Sequence, residues 1–89
     1  MKVVVKEVES KDEGLSGLLG QQVAVWCNTY IYAGTLVGVN ETCIKLDDAS
    51  VVYETGELTA KSFQDAQKIG KRPLYIQISA IEAFMPAEV

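Results

Sequence analysis

From Gln22 onward the apolar residues of this chain stop recurring every three or four positions and begin to alternate. Val23, Val25 and Cys27 fall on one side and Ala24 and Trp26 on the other, which is the two-residue period of a β-strand. The pattern resumes over residues 30–39, 42–46 and 50–54, with polar breaks at Asn28-Thr29 and Asn40-Glu41 and a bend at Asp47-Asp48-Ala49. Gly34 and Gly38 interrupt the second strand. Glycine inside a strand marks a bulge or a sharp bend, so this sheet must fold back on itself. Two further short strands are predicted at 73–79 and 80–85, and Pro86 ends regular structure. The expected fold is all-β: a small, strongly bent, five-stranded antiparallel barrel.

The flanking segments read differently. Residues 1–9 are β-branched and charged, an extended arm or edge strand. Ser10 and Glu13 have capping-box spacing, Leu15, Leu18 and Leu19 make one apolar stripe, and Gly20 stands at a C′ position. A short N-terminal helix of two turns follows, weakened by Gly14 and Gly17 at about 1 kcal/mol each. Residues 55–72 form an insertion between the third and fourth strands. Thr59 there caps a predicted short helix with Phe63, Ala66 and Ile69 on its apolar side, Lys68 in its last turn and Gly70 at C′. Residues 1–89 make one domain, because so short a chain cannot supply two cores. The expected core is Leu18, Val23, Val25, Leu36, Ile44, Leu46 and Ile81.

Composition narrows the function. The chain has no histidine and only two cysteines, Cys27 and Cys43, whose strand parity differs, so two free thiols are expected and no metal site. Asp47, Asp48 and Glu41 lack a histidine, a nucleophile arrangement or a glycine-rich phosphate loop beside them, so the chain is read as no enzyme and as needing no cofactor. No apolar run approaches the ~20 residues of a membrane span, and residues 1–9 are too charged for a signal peptide, so a cytoplasmic location is expected. A net charge of −4 opposes strong nonspecific nucleic-acid binding. Lys68, Lys71 and Arg72 form the only basic cluster and read as a solvated end.

With 48% of residues hydrophobic, the chain holds more apolar surface than one small core can use. The last two strands would be edges, and exposed edges invite pairing with another chain. Tyr75, Ile76, Ile78, Phe84 and Met85 are the expected interface between copies. A proline at Ile76 or Phe84 would dissociate such an assembly wherever that N–H faces the neighbour.

The residues from Gly20 to Val52 resemble the first motif of the Sm/Lsm/Hfq (Sm-like) family. They carry a V-x-V strand (Val23, Val25), an aromatic-x-G-x-L core (Tyr32, Gly34, Leu36), a turn at Gly38-Val39-Asn40 and a close at Leu46, Asp48 and Ala49. Residues from Tyr75 to Pro86 are similar to the second motif, an apolar strand, a loop, and a short strand ending in proline. The spacing from Gly38 to Leu46 is closer to the Hfq variant, as in a divergent bacterial or phage-type member. The resemblance covers about two-thirds of the chain. It implies an Sm-like, SH3-like barrel that closes into a homo-oligomeric ring of about five to seven subunits.

It also implies single-stranded RNA as a partner, held at the ring by Asn40, Thr42, Gln77 and Ser79. The family's aromatic stacker and second Asn are absent from positions 40–43, and its basic loop is replaced by Gln77, Ile78 and Ser79. Asn40 is also an ordinary turn residue, and Thr42 and Ser79 ordinary strand polarity. Trp26, Tyr30 and Tyr32 could stack on bases, though aromatics are equally at home in strands and interfaces. Two functions are therefore carried forward: a ring that binds RNA weakly, and a homo-oligomeric scaffold or protein-interaction module without RNA.

Overall fold

A computed structural model of the chain describes residues 14–56, 63 and 65–87. The proposed arm at 1–9, the capping box at Ser10 and Glu13, and Thr59 lie outside the described residues. A four-residue turn of helix, α1 (Gly14–Gly17), precedes six strands: β1 (Gln22–Cys27), β2 (Ile31–Val39), β3 (Cys43–Glu54), β4 (Asp65–Lys68), β5 (Leu74–Gln77) and β6 (Ile81–Pro86). A 3-10 turn, Ile78–Ala80, joins the last two. Gly20, three residues beyond α1, takes φ +86°, and its N–H donates to the Leu36 carbonyl at 2.7 Å rather than back into the helix.

The long strand β3 organises the sheet. All pairs are antiparallel, in the order β4-β3-β2-β1-β6, with β5 also on β3. The first half of β3 bonds β5 (Cys43↔Gln77 through Leu46↔Leu74) and the second half bonds β4 (Ser50↔Lys68 through Glu54↔Asp65). Between the halves the register with β2 slips, from Thr35↔Asp47 to Ala33↔Ser50. Asp48 sits in that slip at φ 53°, a conformation that aspartate's short polar side chain tolerates better than most. The expected bend at 47–49 is therefore a bulge within one continuous strand.

Gly34 lies opposite the bulge, and here the absence of a side chain is required by space. A Cβ at this position would stand 2.9 Å from the Asp47 carbonyl oxygen and 3.1 Å from the Ala49 Cα. Both are backbone atoms and cannot turn aside. Gly34→Ala is expected to cost about 1–3 kcal/mol by overpacking, read as a drop in thermal midpoint. An unchanged midpoint would mean that the bend yields freely.

Three expectations are corrected. Among the described residues the sheet has six strands rather than five, and it does not close on itself. β5 is bonded to β3 and β6 to β1, and no ladder joins them to each other. The three-residue turn between them sends them to opposite ends of the sheet. The helix expected around Phe63–Ile69 is also absent from the described residues there: Asp65–Lys68 is a strand, drawn onto the open second half of β3.

The core is the inner face of the bent sheet. Val23, Val25, Leu36, Ile44, Leu46, Ala49 and Ile76 form one buried cluster, with Leu15, Leu18, Ile78 and Ile81 packed partly buried against it. The outer face is not wholly wet. Ala24, Ala33, Ser50 and Val52 are buried on that side, and Trp26 meets Phe63 edge to face at 6.5 Å.

Candidate functional site

The β2–β3 turn is built around Asn40. Its side-chain oxygen accepts from the Thr42 N–H (2.8 Å), the Cys43 N–H (2.8 Å) and the Thr42 hydroxyl (3.1 Å). Its own N–H donates to the Cys43 carbonyl at 3.0 Å. This is the Asx-turn habit of asparagine, and it occupies the acceptor that a base reader would offer. The Asn40 side-chain NH2 is what remains for a partner.

The pairing of β3 with β5 brings this turn against the β5–β6 junction, where the Ile78 N–H donates to the Thr42 carbonyl at 2.8 Å. Glu41, Thr42, Cys43, Tyr75, Gln77, Ile78 and Ser79 line one open concavity there. Of the four residues expected to contact RNA, Thr42, Gln77 and Ser79 thus share a surface, and Asn40 braces its rim. Sequence reasoning missed Tyr75 as a member, having placed it only at an interface. Tyr75 is exposed, and the Lys45 ammonium stands 5.9 Å from its ring centre, at cation–π range.

The concavity's charge is mixed. Glu41 contributes a carboxylate and Lys45 the nearby cation, while Lys68, Lys71 and Arg72 lie beyond the Leu74 end of β5, away from Gln77. The other aromatics do not form one platform. Tyr32 packs against the core, Tyr30 meets it edge to face at 6.3 Å, and Trp26 belongs to the outer face. Burial pushes the Tyr32 hydroxyl above its usual pKa, with smaller contributions from Cys27 and Tyr30. Burial, then Glu82, likewise pushes the Cys27 thiol up, which disfavours the reactive thiolate.

Cys27 and Cys43 are both free and half-buried. Among the described residues no three His, Cys, Asp or Glu side chains gather as a metal site would need, and no helix is long and apolar enough to cross a membrane.

The residues expected at an interface between copies are divided. Tyr75, Phe84 and Met85 are exposed, Ile78 is half-buried beside the core, and Ile76 is a member of the core itself. The inter-strand hydrogen bonds also fix which backbone groups face away from the sheet. Residues of an antiparallel pair that exchange hydrogen bonds alternate with residues whose N–H and C=O point the other way. The Ile78–Thr42 bond therefore turns Ile76 and Leu74 toward β3, and leaves the N–H and C=O of Tyr75 and Gln77 on the outer edge. The Ala87 N–H donates to the Gln22 carbonyl at 2.9 Å, so Met85 and Ala83 face β1 and Phe84 faces outward.

No protein-family model and no curated protein matches this chain.

Proposed function

We propose that the chain is an Sm-like module that assembles into a closed homo-oligomeric ring, β5 of one copy pairing with β6 of the next. The observation that carries this is a pair of edges to which no strand is bonded among the described residues. Tyr75 and Gln77 on β5, and Phe84 on β6, turn backbone donors and acceptors away from the chain's own sheet, beside exposed apolar side chains. Such edges pair or attract aggregation. Because the two edges differ, pairing one with the other is heterologous, and repetition about an axis consumes them all. The preferred register sets Tyr75 opposite Phe84 and Gln77 opposite Glu82. Sliding by two residues would put Tyr75 against Pro86, which has no N–H to give.

Light scattering on the purified chain at micromolar concentration tests this. The expected mass is about five to seven times the 9.7 kDa of one chain, the range the family resemblance implies, or twice that where two rings associate. A stable monomer or dimer would refute the ring.

Single-stranded RNA is the second reading, favoured by one observation: Thr42, Gln77 and Ser79 share a concavity that the ring would repeat about its axis. Glu41 opposes phosphate there, and stacking falls to Tyr75 alone. Binding of U-rich or A-rich oligonucleotides is expected at about 1 µM or weaker at physiological salt, and weaker as salt rises. Filter binding across a salt series checks it, and nanomolar binding that survives high salt would overturn this account of the electrostatics. No binding at any salt would leave the ring as a scaffold.

A further inference from the structure

The ring reading uses the edges of β5 and β6 and leaves a third edge over, that of β4. We propose that this edge is a separate self-association surface, at which two copies pair β4 with β4 antiparallel across a two-fold axis at Gln67.

The bonding phase identifies the open groups. The Ile69 N–H donates to the Ala49 carbonyl at 2.9 Å, in register with Val51↔Gln67. Gln67 is therefore bonded to β3, while Ala66 and Lys68 present N–H and C=O outward. Among the described residues no strand takes that edge. All four residues of β4 are exposed, and none of their side chains is large and apolar. A four-residue strand carrying Asp65 and Lys68 is the short, charged kind of edge that resists indiscriminate pairing, so a partner strand must complement its charges.

Charge selects the occupant. At one end of β4 two acids, Glu54 and Asp65, stand directly opposite each other across the ladder, an arrangement that is unfavourable in a single chain. At the other end Lys68, Lys71 and Arg72 are all exposed. A second copy laid antiparallel brings the acidic end of each to the basic end of the other. A parallel copy would stack like on like.

The phase restricts the register to pairings of outward residues. Setting Ala66 against Lys68 of the partner subunit, and the reverse, gives four backbone bonds without placing Lys68 on its own copy. The two copies of Gln67 then stand opposite each other on the axis in a non-bonded pair, where Cα atoms approach to about 4.5 Å. The contact is isologous, so it stops at two copies and joins two chains or two whole rings.

Cysteine crosslinking tests this on the full chain. Gln67→Cys is expected to form an intermolecular disulfide with its own copy under oxidised glutathione, since about 4.5 Å lies within the Cα range a disulfide spans. Peptide mapping by mass spectrometry separates that bridge from any through Cys27 or Cys43. Ala66→Cys, offset from its copy by two residues, should crosslink at least about tenfold more slowly because its Cα separation exceeds that range. Lys68→Pro removes an outward N–H without touching a bond to β3, and should slow the Gln67→Cys bridge by a similar factor. About 1 M NaCl, which screens charges to roughly 3 Å, should slow it too.

Failure of Gln67→Cys to bridge, faster bridging by Ala66→Cys, or indifference to Lys68→Pro would each overturn the proposal. The ring is read separately. Its loss changes the mass of the unmodified chain and leaves the Gln67→Cys bridge in place.

Discussion

Leu36→Ala should remove about 2–5 kcal/mol of folding stability, the cost of a fully buried leucine truncated in a core that cannot collapse around the gap. Leu36 has no exposed surface and lies in the same cluster as Val23, Val25, Ile44 and Leu46. Its backbone is pinned as well. The Leu36 N–H donates to the Gln21 carbonyl (2.9 Å), and its carbonyl accepts from Gly20 (2.7 Å), so the strand cannot slide inward to fill the space.

A domain of this length has a margin on the order of 5–10 kcal/mol, so the loss is a large fraction of it. Denaturant unfolding followed by tryptophan fluorescence measures the change, and Val37→Ala on the exposed side of the same strand is the comparison. Val37→Ala should shift the midpoint little. Equal effects at the two positions would contradict the inner-face assignment.

The inner face was legible because its residues alternate with residues of another kind. Val23, Val25, Leu36, Ile44 and Leu46 are large and apolar at every second position, and all are buried. The bend was legible at Gly34, whose missing side chain is the space the Asp47 backbone occupies. The burial of the outer face was not legible, because alternation normally means that one side meets water. Here the small residues Ala24, Ala33 and Ser50 are buried too, and their smallness was the available signal.

β4 misled for a different reason. Phe63, Ala66 and Ile69 recur at every third position, a spacing that suits a helix as well as a loop. The open half of β3 is a tertiary demand that no local pattern records. In the candidate site, Asn40 was visible as a turn former, and the structure gives it that task. That Thr42 and Ser79 would meet across β3 and β5 followed only from the family resemblance, since nothing local links residues so far apart.

Phe84→Pro is expected to break the proposed ring into single chains or β4-paired dimers while leaving each chain folded, an effect larger on assembly than on stability. Proline removes one N–H, and which bond is lost depends on the strand's phase. At Phe84 that N–H faces away from β1, so the chain's own sheet keeps every bond it has. The neighbour loses the central donor of a short ladder and the apolar contact of the Phe84 ring with Tyr75. Each lost hydrogen bond is worth about 1 kcal/mol, and each closed ring contains one such defect per subunit, so the losses multiply around the circle.

Ile76→Pro is the informative contrast. The Ile76 N–H faces β3 and its side chain is in the core, so the same substitution should unfold the chain rather than disperse the ring. Light scattering paired with circular dichroism separates the two outcomes. If Phe84→Pro kept the mass of the unmodified chain, copies would not be meeting along β6. If Ile76→Pro dissociated the ring and kept the native spectrum, the phase assigned to β5 would be reversed.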